Sequence, residues 1–419
     1  MRIAILGAGI QGISTALALA SQRIEVSLFD RNPAACGGAS GVGEGKIHLG
    51  FVYANDPSFM TSKLMLEGAM YFAPLFEEWI GQPLDWTRFC SSPFQYLVAA
   101  DSLLDVSTLL EHYALLNQTY RETYRDKHKQ LHYLGNRPDR LYENSRSSLT
   151  GSSNNIICSI PTCEKAIGTH LFSDFLSGVI DSNEYIATRF GHTIREVSRK
   201  PEGFLLQGEF SAHQGTWAEQ FDIVINCLWD GRLALDAQMG LAPRRPWVFR
   251  RKFGIQASFE SHQPLPASTT IVLGPFGDIA CYPQQRSAYL SYYPSCLQGW
   301  SQELTVPASW HDKDGQLTGE QALERIVYPS LQALAEYVPE VRGARATDIR
   351  SGVIFSWGRS DIDDRRSELH RRDEIGVLHA DGYFSVNTGK FTMAPLFAKF
   401  TVDQIMGRSL AEFFLSCSS

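Results

Sequence analysis

Six residues near the start of the chain, Gly7-Ala8-Gly9-Ile10-Gln11-Gly12, have the types and spacing to hold a pyrophosphate. They come after the apolar run Arg2-Ile3-Ala4-Ile5-Leu6, which reads as a short buried strand. They open a small-residue stretch, Ile13 to Ser21, with a helical pattern. Gly7 makes the tight turn out of the strand, Gly9 lets a pyrophosphate approach the backbone, and Gly12 lets helix pack closely on strand. The anion would sit on free N–H groups at the helix N-terminus. A second strand, Glu25 to Phe29, closes on Asp30, 18 residues beyond Gly12, where an acid can accept hydrogen bonds from an adenosine ribose. Strand, turn, helix, strand and acid in register point to a bound dinucleotide. The acid argues against a 2′-phosphate, although Arg31 beside it keeps a small opening for one.

The residues after Asp30 bear on which dinucleotide it is. An NAD-type domain would run on through another helix and strand. This chain instead enters a second glycine-rich stretch, Cys36-Gly-Gly-Ala-Ser-Gly-Val-Gly-Glu-Gly45, and continues Lys46-Ile47-His48-Leu49-Gly50-Phe51-Val52-Tyr53. Such a loop brings backbone N–H groups close to something large. A flexible linker is the alternative, but linkers rarely end in an apolar-aromatic run.

The elements that must position these residues make up a 419-residue chain, too long for one ordinary core, so about two domains are expected. With 44% apolar and 20% charged residues and a net charge of −7, the composition is globular and argues against nucleic acid as a partner. No apolar stretch approaches the ~20 residues of a membrane span, and the early strand leaves no room for a signal peptide, so a cytoplasmic location is expected. Eight scattered cysteines read as reduced thiols, and eleven histidines form no HExxH. Asp361-Ile362-Asp363-Asp364 begins like a calcium loop but lacks its glycine and terminal glutamate, so no metal is expected.

Along the chain, a helix is expected from Asp56, capped by Ser58, and another over 103–126; residues 134–155 read as a polar surface connection. Lys165 to Ile180 has a helical pattern. Strands are expected over Tyr185 to Arg189, Thr193 to Ser198, Phe204 to Gln207, Thr216 to Ala218 and Asp222 to Cys227. Trp247 to Phe259, Thr269 to Leu273, Ile279 to Tyr282 and Ala288 to Tyr293 suggest an antiparallel meander. Thr318-Gly-Glu-Gln321 reads as a capping box opening a helix to Tyr337. Strands near Gly376–His379 and Tyr383–Val386, a turn at Gly389 and a helix from about Pro395 to Met406 end the chain. The chain would leave its nucleotide domain and return to finish it.

With these segments in order, the sequence resembles the D-amino-acid oxidase superfamily of FAD-dependent oxidoreductases over most of its length. Ala39-Ser40…Gly45-Lys46-Ile47-His48-Leu49-Gly50-Phe51-Val52-Tyr53 is similar to the family's second flavin-contacting loop, in the His-x-Gly-x-x-Tyr form of its hydroxy-acid and glycerol-phosphate branch. Asp222 to Cys227 resembles the strand ending in Asn-Cys/Ala beside the nucleotide. Asn387-Thr388-Gly389-Lys390-Phe391-Thr392 resembles the C-terminal flavin loop. The resemblance implies that Gly7, Gly9, Ile10, Gln11, Gly12 and Asp30 hold the ADP half of FAD, with Arg31, Ala39 and Ser40 near ribose and pyrophosphate. It implies a backbone contact of Val197 with adenine. Gly45, Lys46, Ile47 and His48 would lie along the isoalloxazine, and Gly389, Lys390, Phe391 and Thr392 would cover its pyrimidine edge. One departure stands out. Where members often carry an arginine for the substrate's acidic group, this chain has Ile354; Arg350 or Arg359 would have to substitute.

Within that chemistry His48 is the first candidate for a group that accepts a proton or binds a neutral amine. Contact with the flavin, covalent attachment and simple core packing remain open for it. Lys390 would hold a flavin carbonyl, bind a substrate anion or assist oxygen, unless it is merely solvated. Arg244, Arg245, Arg250, Arg251 and Lys252 form a basic cluster on a strand, where alternation puts 250 and 252 on one face. A solvated sheet face is the simpler reading, an anion-recognising wall the other. Tyr282, Tyr289, Tyr292 and Tyr293 include pocket walls, and Asp361 to Arg372 reads as a charged surface loop.

The expectation is therefore an α/β protein: a Rossmann-like FAD-binding domain (1–55, 156–240, 344–419) interleaved with an α+β substrate domain built on an antiparallel sheet (56–155, 241–343). It would oxidise a CH–NH or CH–OH group of a small molecule by hydride transfer to flavin N5, with oxygen or another acceptor taking the electrons. His48, Lys390 and Arg359 are the candidate catalytic residues. Two alternatives stay open: an NAD-dependent dehydrogenase, and a flavoprotein that serves as an electron-transfer or scaffold subunit.

Overall fold

Residues 3–30 build the expected opening unit for a local reason. In the computed structural model, which describes residues 1–144, 155–311 and 319–408, strand Ile3–Leu6 (β1) is buried at every position, as a central parallel strand covered on both faces must be. Helix Ile10–Ala20 (α1) is buried all round and leads to strand Val26–Asp30 (β2). A helical turn Ala39–Val42 (α2), the two-residue strand Lys46–Ile47 (β3) and the long helix Met60–Ile80 (α3) come next. Then come Gln95–Ala99 (β4), Val106–Tyr120 (α4), Ile156–Pro161 (β5), Lys165–Ala166 (β6) and Thr169–Asp181 (α5).

The middle of the chain is strand-rich: Ile186–Phe190 (β7), His192–Lys200 (β8), Gly203–Phe210 (β9), Thr216–Phe221 (β10) and Ile223–Asn226 (β11) precede helix Arg232–Gln238 (α6). Trp247–Ser258 (β12), Thr269–Ile271 (β13), Gly277–Tyr282 (β14) and Ser287–Tyr292 (β15) lead through Tyr293–Cys296 (α7) to Leu297–Ser301 (β16). Helices Gly319–Ala322 (α8) and Tyr328–Tyr337 (α9), strands Arg345–Trp357 (β17), Gly376–Ala380 (β18) and Tyr383–Asn387 (β19), and helix Ala394–Ile405 (α10) complete it.

These strands form two principal sheets. One runs β18-β19-β11-β1-β2-β7 and is parallel except for β18. The other runs β16-β12-β15-β14-β13-β4-β5, with the 13-residue β17 also paired to β12. It is antiparallel except where β13 meets β4. A β8-β9-β10 sheet packs over the first, burying Val197, Phe204 and Leu206 against Ala4, Leu6 and Phe29. The chain thus alternates between sheets, as expected, but β5 and β17 hydrogen-bond into the large mixed sheet. Residues 156–161 and 345–357 were expected with the nucleotide half, so the expected boundaries at 156 and 344 do not follow strand membership.

Other departures have local causes. The helix expected from Asp56 begins at Met60, because the Asp56 carboxylate takes the N–H groups of Ser58 and Thr61 and the hydroxyls of both. The pattern over 103–126 becomes α4 followed by a π-helical turn, Arg121–Arg125. Lys165 and Ala166 do not begin a helix. They pair antiparallel with β3, Lys46 opposite Ala166 and Ile47 opposite Lys165. Thr318 of the capping box, and part of the polar connection before residue 155, lie outside the described residues. Among the described residues no helix is long and apolar enough to cross a membrane.

One buried ion pair joins β3 to the large sheet. Lys46 is 2% exposed, and its ammonium donates to Thr270 Oγ1 at 2.6 Å and to Asp278 Oδ1 at 2.7 Å. Removing one member of such a pair strands the other charge, at a cost of about 3–5 kcal/mol, whereas an apolar replacement of both is often near neutral. Lys46→Met is therefore expected to lower the denaturation midpoint markedly, and Lys46→Met/Asp278→Leu to recover most of it, as measured by urea unfolding.

Candidate active site

The glycine turn fits a dinucleotide in a way that the protein's own packing does not fully require. Gly7 has φ +98°, and a Cβ there would lie 2.8 Å from Cys227 O; a Cβ on Gly12 would lie 1.8 Å from Gly7 O. Both are needed by the fold itself. Gly9 differs: its φ is an ordinary −76°, and a Cβ would meet only Ser40, at 3.0 Å. Nothing in the chain excludes a side chain strongly there, so a bound group approaching the backbone is the natural reason for glycine. The α1 N-terminus has no cap from the side chain before it, and Ser40 Oγ accepts the Ile10 N–H at 2.9 Å, which brings the second glycine-rich loop to this anion-favouring end. Asp30 ends β2 beside it. Its carboxylate accepts from Ala8 N–H at 2.7 Å and Asn32 N–H at 2.8 Å, and burial nevertheless raises its pKa. These residues suit the pyrophosphate and ribose of FAD.

The second loop and the C-terminal loop are stapled to each other. Gly45 (φ +67°) lets β3 approach so closely that a Cβ would lie 2.1 Å from Ile167 O. Thr392 Oγ1 accepts the His48 N–H at 2.9 Å and donates to Lys46 O at 3.2 Å. Gln11 reaches from α1 to the same loop, accepting from Thr388 Oγ1 at 3.0 Å and donating to Ala394 O at 3.2 Å. Gly389 sits at φ +64° against Ile375. Residues 11, 46–48 and 388–392, far apart in sequence, thus meet at one seam.

That seam is an unusual concentration of buried charge. Glu44 Oε1 lies 3.9 Å from His48 Nε2 and 3.8 Å from Lys46 Nζ. On the other edge of the imidazole, Glu164 Oε1 lies 3.9 Å from Nδ1. Glu164 accepts the Leu49 N–H at 2.6 Å and the Tyr96 hydroxyl. The Tyr53 ring stands edge-on to His48 at 5.5 Å. Burial, reinforced by the charges of Lys390, Lys46 and Arg372, holds the His48 pKa well below its usual value, so the imidazole is neutral near pH 7. Burial pushes Glu164 up to about 7, against the pull of Lys46. Lys46 itself would be lowered by burial, but Asp278, Glu44 and Glu164 together keep it raised. Burial, with Arg372, Lys252 and Lys46 nearby, brings Lys390 down to about 8.

Two cations here lack a carboxylate partner among the described residues. Arg372 is 5% exposed and donates from Nη1 to Phe355 O, while its Nε has no hydrogen-bond acceptor. Lys390 makes no ion pair, Glu44 and Asp278 being engaged by Lys46. His48 Nδ1 and the Tyr53 hydroxyl are likewise buried without partners. Unsatisfied buried polar groups are costly in a folded chain, and a bound polar ligand is one way to satisfy them.

The expected residues do not all converge. Arg359 is exposed in the turn after β17, and Arg350 is tied to Asp348 at the surface. Arg372, which reads in sequence as part of a charged surface loop, is the buried arginine instead; Leu369 and His370 of the same segment are buried too. Arg250 and Arg251 are also buried rather than solvated, because β12 is covered on both faces. Arg250 is held by Ser360 O, Asp361 and the Trp300 ring. Val197 has its N–H engaged by Gln238 at 2.8 Å. Arg31 is paired with Asp230 at 3.0 Å, and the Phe391 ring stacks on Phe72. The Lys46 ammonium turns to Asp278 and the large sheet. Tyr282, Tyr289 and Tyr293 are buried and Tyr292 partly so. Tyr53 is the last residue of the quoted His-x-Gly-x-x-Tyr loop, whereas Glu164 and Tyr96 escape a sequence reading, since each carries weight only through β3–β6 pairing and the fold around it.

Comparison with known proteins bears on the fold and the cofactor class. Residues 2–129 match the family model described as FAD dependent oxidoreductase. No curated protein matches the chain by sequence. Among solved structures, the chain is similar to glycine oxidase from Geobacillus kaustophilus, with 13% identity, TM-score 0.65, and 99% of this chain and 97% of that one covered. It is similar to iminodiacetate oxidase from Chelativorans sp. BNC1, with 15% identity, TM-score 0.65 and 97% and 96% covered. It is also similar to glycerol-3-phosphate dehydrogenase from Bacillus halodurans complexed with FAD, with 12% identity, TM-score 0.54 and 97% and 64% covered.

The depressed lysine has a thermodynamic signature. Lys390 titrates at about 8 when folded against 10.5 ordinarily, so between those values the unfolded chain binds more protons, and this group's contribution to stability rises with pH. Below about 8 the penalty is fully present. Lys390→Met is expected to unfold at a higher temperature than the parent at about pH 7 and to lose that advantage by about pH 10, as followed by thermal unfolding of the two FAD-free chains.

Proposed function

We propose that this chain, a divergent member of the D-amino-acid oxidase superfamily of FAD-dependent oxidoreductases, oxidises the CH–NH group of a small amine that carries a carboxylate. The observation that carries this reading is the seam's division of charge. Arg372 and Lys390 offer positive charge with no carboxylate of their own among the described residues, while Glu44 and Glu164 flank the neutral His48. A zwitterion matches both ends. Its carboxylate would satisfy Arg372 and Lys390, in place of the arginine missing at Ile354, and its ammonium would face His48 and Glu44.

FAD, when bound, supplies the two-electron acceptor for the hydrogen leaving the substrate carbon, and dioxygen or another acceptor takes those electrons on. The chain's own residues do the rest. His48 accepts the proton that the ammonium must shed before its lone pair can form the C=N bond as the C–H bond breaks. Glu44 offsets the positive charge that remains on the resulting iminium. An alcohol would give a neutral ketone, which gains nothing from that carboxylate; this favours CH–NH over CH–OH. Arg372 and Lys390 fix the carboxylate and so the orientation of the reacting carbon. The buried surroundings of the seam exclude water from these contacts.

The test is anaerobic mixing of the FAD-loaded protein with a panel of α-amino acids, N-alkyl amino acids and the matching 2-hydroxy acids. Loss of flavin absorbance with an amine, and not with its hydroxy counterpart, is expected. Reduction by hydroxy acids alone would overturn the reading. With the amine so identified, Arg372→Gln is expected to raise KM by roughly 10- to 100-fold, as for a lost charge-assisted hydrogen bond, with a smaller change in kcat.

A further inference from the structure

The pairing of β3 with β6 places Glu164 beside His48. Glu164 is fully buried, and no cation donates to it directly among the described residues. Leu49 N–H occupies Oε2, and the Tyr96 hydroxyl occupies one side of Oε1. The remaining side of Oε1 faces His48 Nδ1, a buried nitrogen with no partner, across 3.9 Å. The His48 backbone is anchored by Thr392 and its ring stands edge-on to Tyr53, so closing that gap falls to rotation about the side-chain bonds. The opposite nitrogen, Nε2, looks towards Glu44, whose side chain is 19% exposed.

We propose that Glu164 is a positioning residue for His48: it takes the Nδ1–H in a hydrogen bond, leaves Nε2 as the proton acceptor, and balances the imidazolium once the substrate's proton has arrived. This rests on the reading of His48 as that acceptor. The logic is the carboxylate–imidazole arrangement in which one nitrogen's hydrogen bond decides what the other can do. Lys46 on β3 and Lys390 and Arg372 from the C-terminal segment all disfavour a charged imidazole. Glu44 is partly open to water, and the phenols of Tyr53, Tyr96, Tyr113 and Tyr133 around the pair are neutral. Glu164 is the one carboxylate at His48 fully shielded from solvent, so its charge is the least screened. Burial lifts its own pKa to about 7, against the pull of Lys46.

The experiment compares the FAD-loaded parent, Glu164→Gln and Tyr96→Phe by two measurements. The first is ¹⁵N-histidine NMR without substrate. The parent is expected to show His48 as the Nδ1–H tautomer, and Glu164→Gln to move its titration to lower pH by about one unit. The second is the pH profile of amine oxidation. Glu164→Gln is expected to lower kcat by roughly 10- to 100-fold with little change in KM and to displace the acid limb. Tyr96→Phe removes a donor that helps hold Glu164 ionised and is expected to displace the limb in the same sense but by less, which decides the matter if Glu164→Gln does not fold. Unchanged His48 titration in both variants would overturn the proposal. A shifted titration in a protein that oxidises no amine would instead leave the pair standing and overturn the proposed reaction.

Discussion

A charged side chain loses several kcal/mol of hydration when it is buried, and the loss is tolerable only where partners replace the water. At the seam between the second glycine-rich loop, the C-terminal loop and the large sheet, this chain buries Lys46, His48, Glu164 and Arg372 almost completely, with Lys390 close by. Lys46 and Asp278 satisfy each other. Among the described residues Arg372 and Lys390 do not find a carboxylate, and His48 Nδ1 and the Tyr53 hydroxyl find no hydrogen-bond partner. The rest of the architecture serves to hold these groups in place despite that imbalance. Such a balance is a common mark of a site whose missing partner is a ligand.

The fold supplies the rigidity by making distant segments depend on one another. Gly12 lets α1 sit on β1, and Gln11 then ties α1 to the C-terminal loop. Thr392 ties that loop to β3, β3 pairs with β6, and Lys46 crosses to β13 and β14. A cofactor fitted along the two glycine loops and a substrate fitted against the large sheet would therefore meet across residues whose positions are fixed from both sides. The fold neighbours share this architecture at 15% identity or less, so the fold alone does not give the substrate.

Local signals were legible in the sequence, and long-range ones were not. The dinucleotide turn could be read because its strand, glycines, helix and acid lie close together in the chain and each has a mechanical reason. The second loop and the Gly389–Thr392 turn were singled out through resemblance, and the fold joins them at Thr392. Arg372 was hidden in a run of charges, Asp361 to Arg372, whose composition suggests a surface. Its burial depends on Phe355 O of β17, a strand the patterning also concealed because neither face of it is simply wet. Arg250 and Arg251 misled for a related reason: alternation assumes one solvated face, and β12 has none. Glu164 looks like one more acid after a strand until β6 leaves its expected helix to pair with β3.

The unpaired cations of the seam are tested most directly by titrating the FAD-loaded protein with a simple aliphatic carboxylate and, separately, with the corresponding amide, each monitored by the flavin absorption spectrum. If those cations await an anionic substrate, a saturable spectral change is expected with the acid alone, weakening as the pH rises through about 8 and Lys390 loses its proton. An equal response to acid and amide, or none to the acid at any pH, would contradict that role for Arg372 and Lys390.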